Sequence, residues 1–210
     1  MAEADIAGVS EIGKRAYLLR RYALPYEKQV LAALKLIIAS APFRYMVTPG
    51  GFKMSVGLTN CGALGWTTDR QGYRYTRIDP MTGKPWPAMP SAFMALARDA
   101  ASETGFRGFE PDACLINRYV PGARLTLHQD KNEKDFSAPI VSMSLGMTAT
   151  FLFGGLRRTD RTAKTLLHHG DVVVWGGEDR LRFHGVAPLK DDPHSLLGQE
   201  RINFTFRKAG

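Results

Sequence analysis

The chain of 210 residues is 44% hydrophobic, so residues 1–210 can bury a full core as a single domain. No stretch approaches the apolar length of a membrane-spanning helix, which argues against a membrane protein and predicts a soluble one. The formal net charge of +8 suggests a polyanionic partner such as nucleic acid, because a positive surface releases condensed counterions from the nucleic-acid backbone.

The N-terminal residues and the cysteines indicate the cellular compartment of the protein. Met1–Asp5 lacks a basic segment followed by an apolar one, so we expect no secretory signal. Cys61 and Cys114 are too few for a disulfide framework and are interpreted as small buried hydrophobic residues in a reducing compartment. The cytoplasm is therefore the expected location. No coiled-coil pattern argues for assembly, so a monomer is the default expectation.

Two helices are predicted in the first half. Leu24 to Ser40 indicates an amphipathic helix, with Pro25 in its first turn. A second helix is predicted to start near Ser91, to cover Ala92 to Glu103 and to be closed by Gly105. Between them, residues 42–90 hold seven glycines and six prolines, a density that favours loops and short strands.

Beyond residue 112 the pattern changes to short apolar or alternating runs punctuated by glycine. The predicted strands are Ala113–Val120, Ile140–Met147, Thr150–Phe153, Leu166–His169, Val172–Trp175 and Arg201–Arg207. This number of strands in about a hundred residues closes naturally into a double-sheet jelly roll whose interior can hold a ligand. The predicted fold is mostly β, with flanking helices that buttress one sheet.

The triplet His128-Gln129-Asp130 is a candidate metal site, because residues two apart on an extended segment point to the same side. His184, from a distant strand, would complete one face of an octahedron. Two nitrogens, one carboxylate and open positions favour iron(II), since a structural zinc usually recruits more cysteine or histidine. The alternative is a chance turn in which the aspartate only bonds the backbone.

A second triplet, His169-Gly170-Asp171, directly precedes the apolar run Val172–Trp175. Gly170 and Asp171 are typical of a turn that leads into a buried strand. We therefore interpret this copy as structural.

The last predicted strand has two faces. Arg201, Asn203, Thr205 and Arg207 alternate with Ile202, Phe204 and Phe206. The polar side could be an ordinary solvated face, as in many antiparallel sheets. If it faces a barrel interior instead, the two guanidinium groups would form a strong carboxylate site. The sequence leaves both alternatives open.

Aromatic and basic residues are interleaved in the Gly/Pro-rich segment: Phe52, Trp66, Tyr73 and Tyr75 with Arg70, Arg74 and Arg77. This mixture suits base stacking and backbone contacts, although a core role for the aromatics is the alternative. Trp86 and Trp175 are assigned to packing.

A basic cluster is predicted in one loop, at Arg157, Arg158, Arg161 and Lys164, and Lys131 and Lys134 flank the metal triplet. These charges would position phosphates or form a solvated face.

Taken together, the residues resemble the iron(II)- and 2-oxoglutarate-dependent dioxygenases, and within them the bacterial AlkB family of DNA and RNA dealkylation repair enzymes. The likeness runs from about Pro42 to Arg207 through ordered motifs: Met46–Gly51, Thr59–Gly62, Leu64–Thr68, Arg70–Tyr73, Lys84–Pro90, Pro111–Tyr119, His128–Lys131, Gly170–Gly177 and Arg201–Arg207. It implies a nucleotide-recognition lid over residues 42–90 and a jelly-roll core over residues 112–207.

The resemblance also implies roles for individual residues. The iron ligands would be His128, Asp130 and His184. The contacts to 2-oxoglutarate would be Asn117, Tyr119, Arg201, Asn203 and Arg207. The substrate contacts would be Thr48, Met54, Trp66, Tyr73, Lys131, Asn132, Glu133 and Arg158. Within this set Trp66 is the expected stacking platform, opposite the ring of His128. Glu133 could attract a cationic base in a dry pocket or be a solvated acid, and Arg118, which points away from Asn117 and Tyr119, is expected to be structural or phosphate-facing.

The implied activity is oxidative removal of N-alkyl groups from bases of the 1-methyladenine and 3-methylcytosine type, with release of succinate, CO2 and formaldehyde. Alkylated DNA, single- or double-stranded, is the expected substrate, and RNA stays open. Asn132 stands where the family usually has an acid, Phe52 where it has a tyrosine and Arg124 where it has a lysine. The alternatives are an iron- and 2-oxoglutarate-dependent hydroxylase of a metabolite or protein side chain, and a non-catalytic basic β-barrel that binds nucleic acid.

Overall fold

The structure is a computed structural model that describes residues 8–210. Met1–Asp5, on which the expectation about a secretory signal rests, lies outside the described residues. The helices are α1 (Glu27–Ser40) and α2 (Ser91–Glu103). The strands are β1 (Val9–Glu11), β2 (Ala16–Leu19), β3 (Gly57–Gly62), β4 (Gly65–Asp69), β5 (Gly72–Thr76), β6 (Ala113–Tyr119), β7 (Leu125–His128), β8 (Ile140–Gly146), β9 (Ala149–Phe153), β10 (Ala163–Leu167), β11 (Val172–Trp175), β12 (His184–Val186) and β13 (Arg201–Arg207).

Two antiparallel sheets form the jelly-roll core that the strand pattern predicted. The larger sheet has the order β1-β2-β11-β8-β13-β6-β3, and the smaller has the order β10-β9-β12-β7. Strands β4 and β5 pair with each other as a separate hairpin. The mostly β fold with flanking helices is therefore confirmed.

Both helices pack on one face of the larger sheet, because their apolar stripes meet the apolar residues of its strands. Val30, Leu34 and Phe93 join Phe204 and Phe206 in this core cluster. A second cluster, which includes Ile140, Phe151, Phe153, Val173 and Trp175, joins strands of both sheets. Since side chains alternate along a strand, the polar residues of β13 face away from the helices.

The predicted helices are confirmed with small changes at their ends. The first begins as a 3-10 turn over Leu24–Tyr26 and becomes α-helical at Glu27. The second ends at Glu103, and Gly105 adopts a φ of +82°, which glycine reaches without steric cost.

Three features of the β half differ from prediction. The strand expected over Leu166–His169 covers Ala163–Leu167, because the His168 amide donates to the Asp171 carboxylate in a turn. Lys164 therefore lies in β10 and not in the basic loop. Strands β1, β2, β7 and β12 were not predicted, because these short runs become strands only by pairing with partner strands.

The segment over residues 42–90 consists of loops and short strands, as predicted. Strand β3 of this segment pairs with β6 and so forms one edge of the larger sheet. Within residues 8–210, the structure shows no helix of the length and apolarity that crossing a membrane requires.

Candidate active site

The pairing of β7 with β12 brings two distant histidines together. In this register His184, the first residue of β12, lies opposite His128, the last residue of β7. Their ring centroids are 4.4 Å apart. Asp130 follows β7 by two residues, and one side-chain ligand atom from each of the three residues lies within 4.8 Å of the others.

Each imidazole is oriented by a backbone carbonyl. The Nδ1 atoms of His128 and His184 lie 2.9 Å from the carbonyl of Thr126 and 3.0 Å from the carbonyl of Arg182. If Nδ1 carries the proton in each ring, Nε2 keeps a free lone pair toward Asp130. The Nε2 atoms lie 3.8 Å and 3.7 Å from the Asp130 carboxylate oxygens.

The electrostatic surroundings keep the Asp130 carboxylate charged. Burial alone would raise the pKa of Asp130, but the Arg207 guanidinium and the neighbouring cationic groups hold this pKa well below its usual range. Arg207 donates from Nε and Nη2 to the same carboxylate oxygen, at 2.9 and 2.7 Å. A carboxylate held in this way is ready to bind a cation at neutral pH.

Burial keeps the His184 side chain uncharged. This side chain is 5% exposed, and burial together with the nearby His128 lowers the pKa of His184 to about 3. The imidazole is therefore neutral at neutral pH, as a metal ligand must be.

The donor set fits one divalent metal ion. Two imidazole nitrogens and one carboxylate on neighbouring strand ends are the ligands of the facial arrangement that non-haem iron(II) oxygenases use. The second triplet does not form such a site: Asp171 is fully buried, accepts from Arg20 and from the Arg21 and His168 amides, and follows a glycine with a φ of +87°. The interpretation of this triplet as structural is confirmed.

The pairing of β13 with β6 assembles a second polar group in the same cavity. Arg201 lies opposite Tyr119, and Asn203 lies opposite Asn117. These residues, together with Arg207, line a cavity of about 410 Å3 that also contains the histidines and Asp130. All of the predicted cosubstrate residues are thus placed in one cavity. The solvated face considered for β13 is wrong, because every residue of this strand is buried.

The Arg201 side chain fits a carboxylate ligand. It is 1% exposed, donates from Nη2 to Ser144 at 2.8 Å and lies over the Tyr119 ring at 4.8 Å. Its Nε and Nη1 atoms are buried and have no hydrogen-bond partner. A buried charge without full pairing is costly, and a dicarboxylate such as 2-oxoglutarate would supply the missing acceptors.

The predicted substrate residues line the outer part of the cavity, with one exception. The residues that do so are Thr48, Met54, Trp66, Tyr73, Lys131, Asn132 and Arg158. The Trp66 and Tyr73 rings stack, with centroids 5.6 Å apart and planes inclined by 20°. Phe52 is 75% exposed, so the core alternative for this aromatic is wrong.

Glu133 is the exception. It does not line the cavity, and its side chain is 2% exposed, so neither the pocket role nor the solvated role fits. Its carboxylate accepts from Tyr75 at 2.6 Å and lies 3.3 Å from Nη2 of Arg180. The sequence left both roles open, and the structure shows instead that two buried cations from other segments, Arg180 and Arg207, contact the Glu133 carboxylate.

Other assignments are refined. Trp86 packs as expected, but Trp175 also lines the cavity, with its ring 4.9 Å from that of His184. Arg118 is structural, since it contacts the Phe43 ring and Glu200.

Ser142 in the cavity was missed, although the alternation of Ile140–Gly146 places Ser142 and Ser144 on one face. Arg180 was also missed, and no sequence pattern marked it.

Comparison with known proteins gives a family match over most of the chain. The sequence model of the 2OG-Fe(II) oxygenase superfamily matches residues 16–207. The alpha-ketoglutarate-dependent dioxygenases AlkB of Escherichia coli (strain K12) and Salmonella typhimurium are 58% and 57% identical, over 93% and 92% of this chain and 90% of each relative.

More distant matches extend the comparison to structures and named substrates. The solved structure of OsALKBH1 has a TM-score of 0.81 and 28% sequence identity, and the match covers 96% of this chain and 100% of that one. The DNA N(6)-methyladenine demethylase ALKBH1C of Arabidopsis thaliana is 34% identical over 69% of this chain and 38% of that protein.

Proposed function

The chain belongs to the 2OG-Fe(II) oxygenase superfamily and is an alpha-ketoglutarate-dependent dioxygenase of the AlkB family, and from this premise we propose that it removes alkyl groups from nucleic-acid bases by oxidation. One observation carries the proposal. A single cavity contains a metal-ligand triad, a buried arginine with free donors and an open aromatic pair at its outer part. These groups match an iron ion, a dicarboxylate and a flat base.

When bound, iron(II) and 2-oxoglutarate supply the oxidising chemistry with dioxygen and yield succinate and CO2. The metal would be held by His128, Asp130 and His184, while Arg207 keeps the Asp130 carboxylate ionised and oriented. Arg201 would bind a carboxylate of 2-oxoglutarate, and Asn117, Tyr119 and Asn203 line the same cavity. The protein thus orients the reactants within one cavity.

The outer part of the cavity suits an extruded base. An alkylated base that has lost its pairing edge costs less to flip out of a duplex. Trp66, stacked on Tyr73, offers a π-face to such a base, and Lys131 and Arg158 would contact the flanking phosphates. Alkylated DNA is the proposed principal substrate, and RNA is a further one.

The proposal also covers the domain organisation and the cellular location of the protein. We assign nucleotide recognition to the lid over residues 42–90, which supplies Thr48, Met54, Trp66 and Tyr73 to the cavity. Catalysis belongs to the core over residues 112–207, within a single domain and a monomer. Both cysteines are free thiols, which supports a cytoplasmic location.

The test is an assay of coupled products. The purified protein receives iron(II), ascorbate, 2-oxoglutarate and single-stranded DNA that contains 1-methyladenine, and succinate and formaldehyde are measured together. We expect both products in equal amounts. His184→Ala should abolish both, whereas His169→Ala, which removes a histidine of the structural triplet, should retain both.

The other outcomes each contradict the proposal. Succinate without formaldehyde would indicate uncoupled turnover or another substrate, and methylated DNA would then not be the target. The absence of both products, with the DNA still bound, would indicate a non-catalytic nucleic-acid-binding protein.

A further inference from the structure

Arg180 is a buried arginine to which the proposed reaction gives no role. It is 2% exposed, does not line the cavity and lies four residues before His184. It directly follows the short 3-10 helix Gly177–Asp179. A guanidinium that is desolvated to this degree must be matched by acceptors, so its partners show what it holds in place.

The partners of Arg180 all belong to one loop. Nη1 donates to the Asp130 carbonyl at 2.8 Å, and Nε donates to the Ala138 carbonyl at 3.1 Å. Nη2 lies 3.3 Å from the Glu133 carboxylate, and the guanidinium carbon lies 5.4 Å from the centre of the Phe136 ring. One side chain therefore contacts the loop of residues 130–138 at its start, middle and end.

This loop needs such support because it has little of its own. Residues 130–138 connect β7 to β8 and contain no strand or helix, so no ladder of backbone hydrogen bonds fixes their path. The loop nevertheless carries Asp130, whose carboxylate must meet two histidines that the sheet holds rigidly. A displacement of about 1 Å at such a site is enough to impair function.

Arg180 also determines how the buried charges are shared. The Nε atom of Arg207 donates to the Asp130 carboxylate. The same Nε atom lies only 3.5 Å from the Glu133 carboxylate. Tyr75 donates to Oε1 of Glu133, the oxygen nearest to Arg207, and Arg180 lies 3.3 Å from Oε2. Without Arg180, the buried Glu133 carboxylate would compete with Asp130 for the Arg207 guanidinium.

We propose that Arg180 is a positioning residue for the metal centre, which holds the 130–138 loop so that Asp130 meets His128 and His184. Arg180 touches neither the metal nor the substrate, and it acts through the Asp130 backbone and through Glu133. This inference rests on the proposed function only in that the triad binds a divalent metal ion. The inference means that metal affinity depends on Arg180, a residue that lies outside the cavity.

The test measures metal binding by the whole protein in the absence of turnover. Co2+ replaces iron(II), and its visible absorption is followed as the metal-free protein is titrated. Arg180→Met is expected to weaken Co2+ binding by about 10- to 100-fold, as is usual for groups that orient metal ligands. Arg180→Lys, which keeps the charge and can restore one bond, should lie between Arg180→Met and the parent.

Arg20→Met is the matched control. Arg20 donates to the buried Asp171 carboxylate at 2.7 Å and to the Leu166 carbonyl at 2.8 Å, so its loss also leaves a buried carboxylate without its arginine, at residues that do not line the cavity. We expect its Co2+ affinity to equal that of the parent. Parent-like affinity in Arg180→Met, or an equal loss in Arg20→Met, would overturn the proposal.

A double variant covers the case in which Arg180→Met fails to fold. Combining Arg180→Met with Glu133→Gln removes the unpaired buried carboxylate and should restore folding. The bonds to the Asp130 and Ala138 carbonyls remain lost, so weaker Co2+ binding is still expected. Full recovery of affinity would show that Arg180 only neutralises Glu133 and would overturn the inference.

The design separates this inference from the proposed function. If the parent and His184→Ala bind Co2+ equally, the triad is not the metal site and the proposed function fails. If only the parent binds and Arg180→Met matches it, the metal site stands and the positioning role is lost.

Discussion

At the residue scale, ion pairing and burial together set the charges of the side chains that would bind the metal. The Asp130 pKa is lowered by Arg207, and the His184 pKa falls to about 3 through burial, so at neutral pH the first is an anion and the second a neutral base. Both are therefore competent ligands without loss of a proton. Burial also lowers the pKa of Arg201, although this guanidinium keeps its charge at any physiological pH.

Arg201→Met should raise the KM for 2-oxoglutarate by about 100-fold, because two charge-assisted hydrogen bonds of roughly 1.5 kcal/mol each are lost. The KM is measured at saturating methylated DNA. Arg118→Met is the control, since Arg118 contacts Phe43 and Glu200 and does not line the cavity. A change of less than about threefold in the KM of Arg201→Met would rule out this role.

Asn132→Asp should shift the substrate preference toward cationic bases. Apart from Asp130, the described residues that line the cavity include no carboxylate, and Asn132 can both donate and accept. A carboxylate there would attract 1-methyladenine and repel the carbonyl oxygen of 1-methylguanine. We expect the ratio of their turnover rates to rise by about tenfold.

The control for this shift is Gln29→Glu, which adds the same charge at an exposed site on α1, away from the cavity. Its turnover ratio should match that of the parent. An unchanged ratio in Asn132→Asp would reject Asn132 as the residue that sets lesion preference.

At the element scale, strand register decides which residues meet. The pairing of β7 with β12 places His184 opposite His128, and the pairing of β6 with β13 places Arg201 opposite Tyr119. A slip by one residue in either pair would turn these side chains to the other face of the sheet. The helices protect this register, because they cover the apolar face of β13.

Tyr26→Phe tests the contact between the 3-10 turn before α1 and helix α2. The Tyr26 hydroxyl donates to Asp99 at 2.6 Å, and this bond is the main reason that the pKa of Tyr26 rises to about 12. Loss of a partly exposed hydrogen bond should lower the free energy of unfolding by about 0.5 kcal/mol.

The pH dependence of this loss has a defined sign. Because the folded pKa lies above the unfolded value of 10.0, the contribution is fully present below pH 10 and disappears as the pH rises through 12. Urea unfolding of both proteins from pH 7 to 12 measures it. A constant difference across this range would contradict the assignment.

At the scale of the whole molecule, the net charge of +8 and the basic residues at the outer part of the cavity suit a polyanion. Arg157, Arg158 and Arg161 lie in the loop between β9 and β10, and Arg158 also lines the cavity. Helix α1 lies on the opposite face of the larger sheet from the polar residues of β13.

Binding of methylated single-stranded DNA should weaken as salt rises, because each neutralised phosphate releases condensed counterions. We expect Arg158→Gln to lower the slope of log K against log salt by about 0.7, the contribution of one phosphate contact. Lys28→Gln removes an equal charge from α1 and should leave the slope unchanged. Binding that does not depend on salt would favour a small metabolite as the substrate.

Much of the fold and site could be predicted from local patterns. The alternation in β13 predicted its two faces, and helical spacing predicted both helices, because each pattern repeats within one element. The four short strands could not be predicted, because their existence depends on partners elsewhere in the chain. Neither could the ion pairs of Glu133, because the buried Arg180 and Arg207 that contact it are distant in the chain.

The sequence by itself determined which chemical groups are available: two imidazoles and a carboxylate for a metal, and arginines on one face of a strand for an acid. Only the tertiary structure decided that these arginines face a cavity and not solvent, that His169-Gly170-Asp171 is a turn, and that Arg180 supports Asp130. The reason is physical. Side-chain direction follows from local backbone geometry, whereas burial and charge pairing depend on contacts between segments that are distant in the chain.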